Sequence, residues 1–90
     1  VRERDIENHL VKRVRELGGE VRKVQWVGRR GAPDRLVMLP NIARSAIWVE
    51  LKAPGQKAEP HQQREHKRMQ AMGQRVVVID SLEGVAELLA

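Results

Sequence analysis

The chain has no cysteine, which excludes disulfide frameworks and thiolate-held metals outright. It has no Phe, no Tyr and only two Trp, too few rings to stack the bases of single-stranded nucleic acid. No apolar run approaches the length of a membrane span, and the N-terminal residues lack a signal-peptide pattern. Internal repeats, low-complexity tracts and linkers are also missing, so the 90 residues read as one domain, 1–90, with a single core.

What is there is an aliphatic and strongly basic sequence. Hydrophobic residues make up 41%, carried by Val, Leu, Ile, Ala and Met, enough for a packed core without outside help. Lys and Arg number 17 against 12 acidic residues, a net charge of +5. A surplus of that sign suits a polyanionic partner, nucleic acid or an anionic membrane. With no span and no signal, nucleic acid is the better fit. Charge alone leaves an enzyme and a simple binder equally well supported.

Residues 3–17 have the spacing of a helix, with Ile6, Leu10, Val14 and Leu17 on one stripe and Gly18-Gly19 closing it. Residues 21–27 form a weak strand pattern interrupted by charges, and 28–33 a turn-rich connection. Residues 35–39 and 46–52 read as strands joined by a Pro40-Asn41 turn. Pro60 opens a helix that runs to Met72 and closes at Gly73. Residues 75–79 form an apolar run expected to be buried on both faces, and Asp80 with Glu83 suits the cap of a last helix. The order is αβββαβα, an α/β domain with a mixed sheet flanked by helices.

The chemistry concentrates in Trp48-Val49-Glu50-Leu51-Lys52. Strand side chains alternate, so Glu50 and Lys52 emerge on one face and Val49 and Leu51 on the other. An exposed ion pair is the bland explanation. Against it, the strand is otherwise apolar and expected to be central, where charges are costly unless paired or bound to metal. Asp34, sixteen positions earlier and stiffly introduced by Pro33, returns through one hairpin to a neighbouring strand. Two carboxylates so placed suit Mg²⁺, which prefers one or two carboxylates, waters and substrate phosphate.

On a helical wheel counted from Ile6, Glu3 and Glu7 fall at roughly 60° and 100°, inside the apolar arc. Glu3, near the frayed start, is expected to reach water; Glu7, one turn deeper, is expected to serve the site. In the second helix Gln62, His66 and Met69 share a face, while Arg64, Lys67 and Arg68 point elsewhere. Arg29, Arg30 and Arg35 flank the Asp34 turn and, with those three, are candidates for phosphate contacts or an ordinary solvated surface. His9, His61 and His66 match no zinc spacing and are expected at the surface. Trp26, Trp48, Met69 and Met72 are expected to pack in the core.

Taken in order, Gly31-Ala32-Pro33-Asp34-Arg35-Leu36-Val37, Val49-Glu50-Leu51-Lys52-Ala53-Pro54-Gly55 and then Gln62 resemble the virus-type replication-repair nuclease (VRR-NUC) domain of the PD-(D/E)XK superfamily. The resemblance covers nearly the whole chain, and the first helix from Glu7 to Gly18 is also similar to that of archaeal Holliday-junction resolvases. It implies a restriction-endonuclease-like core and a metal-dependent endonuclease acting on branched DNA. Homodimers that resolve four-way junctions are implied for members of this size. It further implies that Asp34, Glu50, Glu7 and the Leu51 carbonyl hold Mg²⁺ or Mn²⁺, with Lys52 orienting the attacking water and Gln62 positioning Lys52 or that water. The cytoplasm of a bacterial or phage-infected cell is the expected location. Three rival readings remain at this point: a non-catalytic basic module, a sequence-specific endonuclease on the same core, for whose recognition domain 90 residues leave little room, and a structural subunit of a replication complex.

Overall fold

The computed structural model describes residues 1–41, 43 and 45–90. In chain order the elements are α1 (Glu3–Glu16), β1 (Glu20–Lys23), β2 (Arg35–Met38), β3 (Ile47–Leu51), α2 (Pro60–Ala71), β4 (Arg75–Ile79) and α3 (Leu82–Leu89). This is the αβββαβα arrangement expected from the pattern. The strands form one sheet in the order β1-β2-β3-β4, antiparallel except for the parallel β3–β4 pair. A parallel pair needs a crossover, and α2 supplies it. β3, flanked on both sides, lies inside the sheet.

Side-chain alternation divides the sheet into two unlike faces. Ile47, Val49 and Leu51 point to one side, where they meet Val37, Leu39, Ile79, Ile6, Leu10 and Val14 of α1, and Val85 and Leu89 of α3. Ile6, Leu10 and Val14 are wholly buried, which is worth about 1.5–3 kcal/mol for each such side chain. Leu17 is left outside this stripe, because the chain turns away at Gly18 and Gly19. A side chain at Gly19 would press its Cβ to within 2.2 Å of the Met38 carbonyl, so only glycine lets the end of α1 close onto β2. The other face is covered by α2, through Glu65, His66 and Met69.

That uneven cover corrects several expectations. β4 is an edge strand, and Val78 on the α2 side is 43% exposed rather than buried on both faces. Met69 is buried but Met72, the residue that caps the end of α2, is exposed. The cap of α3 is Ser81, whose Oγ accepts the Gly84 N–H at 2.9 Å, in place of Asp80. β1 stops at Lys23, and the chain beyond it leaves the sheet. Trp26 donates from Nε1 to the Pro33 carbonyl at 2.8 Å and lies tilted against Trp48 with ring centroids 5.1 Å apart. The two indoles therefore stitch the β1–β2 connection to the α2 face and lie outside the apolar core. Pro40 and Asn41 open the β2–β3 connection as expected, with the Ser45 N–H donating to the Asn41 carbonyl at 3.1 Å. Among the described residues, no helix is long and apolar enough to cross a membrane.

Candidate active site

Glu50 emerges from β3 on the α2 face and is only 8% exposed. The β2–β3 register pairs Arg35 with Val49, and continued by one residue it sets Asp34 directly across from Glu50. The Val24 N–H donates to the Asp34 carbonyl at 3.0 Å, so the backbone at Asp34 still belongs to the ladder. Opposed residues on neighbouring strands stand about 5 Å apart at Cβ. Lys52 follows on the same face, fixed by its N–H, which donates to the Ile79 carbonyl at 2.9 Å.

These neighbours leave Glu50 short of positive charge. Burial, above all, pushes its carboxyl up to about 7, helped by the negative charges of Asp34 and Glu3 and only partly opposed by Lys52 and Arg35. The two carboxylates are hard oxygen donors, and a bound cation would favour the ionised form of the more buried one. That donor set fits a divalent ion that keeps several of its waters. Among the described residues, no group of three acidic or histidine side chains converges as a ready metal cage.

The α1 carboxylates change places relative to expectation. Glu7 is engaged by Arg35, with Nη2 to Oε2 at 2.6 Å and Nε to the same oxygen at 2.7 Å. Arg35 also reaches Asp34, Nη1 to Oδ1 at 2.9 Å. Burial works against the Arg35 charge, but the hydrogen bond it donates to Glu7 and the charge of Asp34 more than offset it. Glu7 thus explains its place on the apolar arc by pairing with Arg35, and its carboxylate is not free for a metal. Glu3, expected to serve only water, is the α1 carboxylate whose charge acts on Glu50. Arg35, expected to face phosphate, has 13% of its side chain exposed and is engaged by both carboxylates, Glu7 and Asp34.

Gln62 does not reach toward Lys52 here. Its Oε1 accepts the Glu59 N–H at 2.8 Å, closing a capping box around Pro60. Leu51 ends β3 with its side chain in the core.

No family model matches the chain. It is 54% identical over 81 residues to "Putative nuclease p44" of Acyrthosiphon pisum secondary endosymbiont phage 1, covering 90% of this chain and 85% of that one. A solved structure described as a VRR_NUC domain superposes with a TM-score of 0.85 at 40% identity, covering 97% of this chain and 92% of the other. The chain belongs to the VRR-NUC nuclease family.

Within this VRR-NUC domain, α2 carries two buried polar residues that sequence reasoning missed. Glu65, 2% exposed, accepts from Arg29 Nε at 3.0 Å and from Arg68 Nη2 at 3.0 Å. Burial pushes its carboxyl up, but the hydrogen bonds from Arg68 and Arg29 outweigh that, and it stays below the ordinary glutamate value. The pair fastens the β1–β2 connection onto α2. Gly31 completes the seam, since its φ is +86° and a Cβ there would come within 2.8 Å of the His61 carbonyl. Arg29 and Arg68 keep 45% and 60% of their side chains exposed, so they can still face a phosphate. Arg30, Arg64 and Lys67 are exposed around them.

His66, expected at the surface, is buried beside Glu50, with Nε2 3.6 Å from Oε1. Burial holds its imidazole below the usual histidine range, with Lys52 adding to the effect and Glu65 opposing it. The 3.6 Å approach is therefore that of a neutral ring. One signal pointed to both residues: Glu65 and His66 stand four and three positions before Met69, the spacing of a covered helix stripe.

Proposed function

We propose that this VRR-NUC domain is a Mg²⁺-dependent, structure-selective endodeoxyribonuclease, with Mn²⁺ able to replace Mg²⁺. In this reading it hydrolyses phosphodiester bonds in branched DNA and resolves four-way (Holliday) junctions as a homodimer. The observation that carries the reading is the apposition of Asp34 and Glu50 on neighbouring strands, with Lys52 on the same face.

Asp34 and Glu50 would hold the ion, with the backbone carbonyl of Leu51 as a further oxygen donor. When bound, the ion lowers the pKa of a coordinated water and neutralises charge on the scissile phosphate. Lys52 presents its ammonium to the attacking water and to the charge that develops on the phosphate oxygens. Arg35, gripped by Glu7, holds one oxygen of the exposed Asp34 carboxylate and so limits its orientations. Glu3 adds negative charge that favours cation capture. Gln62 serves the start of α2, which carries Arg64, Lys67 and Arg68 to the DNA backbone along with Arg29 and Arg30. Those contacts set position and salt dependence rather than sequence choice.

A symmetric junction needs two cuts, and a two-fold pair presents two such sites. The β4 edge, with its exposed Val78, offers an apolar strand on which a second copy can pair. The expected place of action is the cytoplasm of a bacterial or phage-infected cell. The test incubates labelled four-way, flap and linear duplex DNA with Mg²⁺ or EDTA. Cleavage of the branched substrates that stops in EDTA and in Asp34→Ala or Lys52→Ala supports the proposal. DNA left intact by the wild type, bound equally with and without metal, makes the chain a basic binder instead.

A further inference from the structure

One buried polar atom is left without a partner in this fold: His66 Nε2, among the described side-chain atoms. Its ring is 7% exposed, packed between α2 and β3, and the nearest ionisable oxygen is Glu50 Oε1 at 3.6 Å. Buried nitrogen without a hydrogen bond is unfavourable enough that native proteins rarely keep one. The deficit is small in distance. A move of well under 1 Å brings Nε2 and Oε1 into ordinary hydrogen-bond range.

A carboxylate that ligates a cation is ionised, and its remaining oxygen is a strong hydrogen-bond acceptor for a neighbouring N–H. Direct ligation by His66 is disfavoured, because no third acidic or histidine side chain among the described residues converges with His66 and Glu50.

We propose that His66 is a positioning residue that donates its Nε2–H to Glu50 Oε1, fixing the carboxylate so that its other oxygen faces the divalent ion. The inference rests on the metal-binding reading of Asp34 and Glu50. It adds a residue outside the acidic and Lys set, from the helix that covers the α2 face. Groups that orient a metal-ligating side chain typically change metal affinity by about 10- to 100-fold when removed.

Two measurements test it. Titration of the metal-free protein with Mn²⁺ alone, followed by the free-Mn²⁺ electron paramagnetic resonance signal, compares wild type with His66→Phe and His66→Gln. The Phe variant keeps bulk without a donor and is expected to bind Mn²⁺ at least about 10-fold more weakly, while Gln, which keeps an N–H, stays within about threefold. Urea unfolding in EDTA accompanies each titration, because a merely structural role lowers stability without separating Phe from Gln. Equal affinity in Phe and wild type, or equal losses in Phe and Gln, overturns the proposal. Should the Phe variant not fold, the ¹⁵N spectrum of the unaltered protein with saturating Mg²⁺ decides. A neutral His66 ring protonated at Nε2 supports the assignment, and one protonated at Nδ1 refutes it. Absence of Mn²⁺ binding by the wild type instead refutes the metal-binding reading itself.

Discussion

Replacing Glu50 by Gln is expected to stabilise the metal-free protein while removing its function. The native carboxyl, pushed up to about 7 chiefly by burial, holds its proton at a pH where the unfolded chain, near 4.5, has lost it. Between those values the native state binds more protons than the unfolded state, so stability falls as pH rises and the loss is complete above about 7. Each pKa unit corresponds to about 1.4 kcal/mol, which caps the deficit at about 3 kcal/mol. Because Glu50 is only 8% exposed, little of that is screened away by solvent. Gln keeps the shape without the charge. In EDTA at pH 8, Glu50→Gln should exceed wild type by up to about 3 kcal/mol, a rise in urea midpoint of as much as about 2–3 M for a small domain. At pH 4 the two proteins should nearly coincide. His66, whose depressed value costs stability as pH falls below the usual histidine range, is present in both and largely cancels. Saturating Mg²⁺ should then restore the wild type and leave the variant unchanged. A Gln variant no more stable than wild type at pH 8 refutes the claim that Glu50 is a buried, under-neutralised acid.

Three further outcomes follow from the α2 seam and the basic surface. Gly31→Ala should lose at least about 1–2 kcal/mol from its left-handed backbone alone, and more from the clash with the His61 carbonyl, read by thermal unfolding. Glu65→Gln weakens the charged hydrogen bonds to Arg29 and Arg68, and should cost about 1–3 kcal/mol in urea unfolding. Arg30→Ala and Arg64→Ala should each reduce the slope of log affinity against log salt for duplex DNA by about 1, with their folding midpoints unchanged.

The apolar skeleton and the acidic pair were legible before any coordinates, because both depend on period. Ile6, Leu10 and Val14 stand at helical spacing, and the alternation through Trp48–Lys52 separates Glu50 from the core on the strength of the pleat alone. Charge partners were not legible in the same way. Arg35 was assigned to phosphate and Glu7 to metal because nothing in a one-dimensional pattern shows that α1 lays one against the other across 28 positions. Glu65 and His66 were hidden by an average: α2 is polar enough to resemble a solvated helix, yet Met69 marks a stripe that the sheet covers. Val78 shows the opposite error, since a run of Val says nothing about which strand ends the sheet.

Crystals of the protein soaked in Mn²⁺ and measured at the manganese edge put the central claim to its most direct trial. The account predicts an anomalous peak within about 2.0–2.3 Å of carboxylate oxygens from both Asp34 and Glu50. A saturated soak with no peak there, or one in which the ion sits on another part of the surface while these two side chains stay apart, contradicts it.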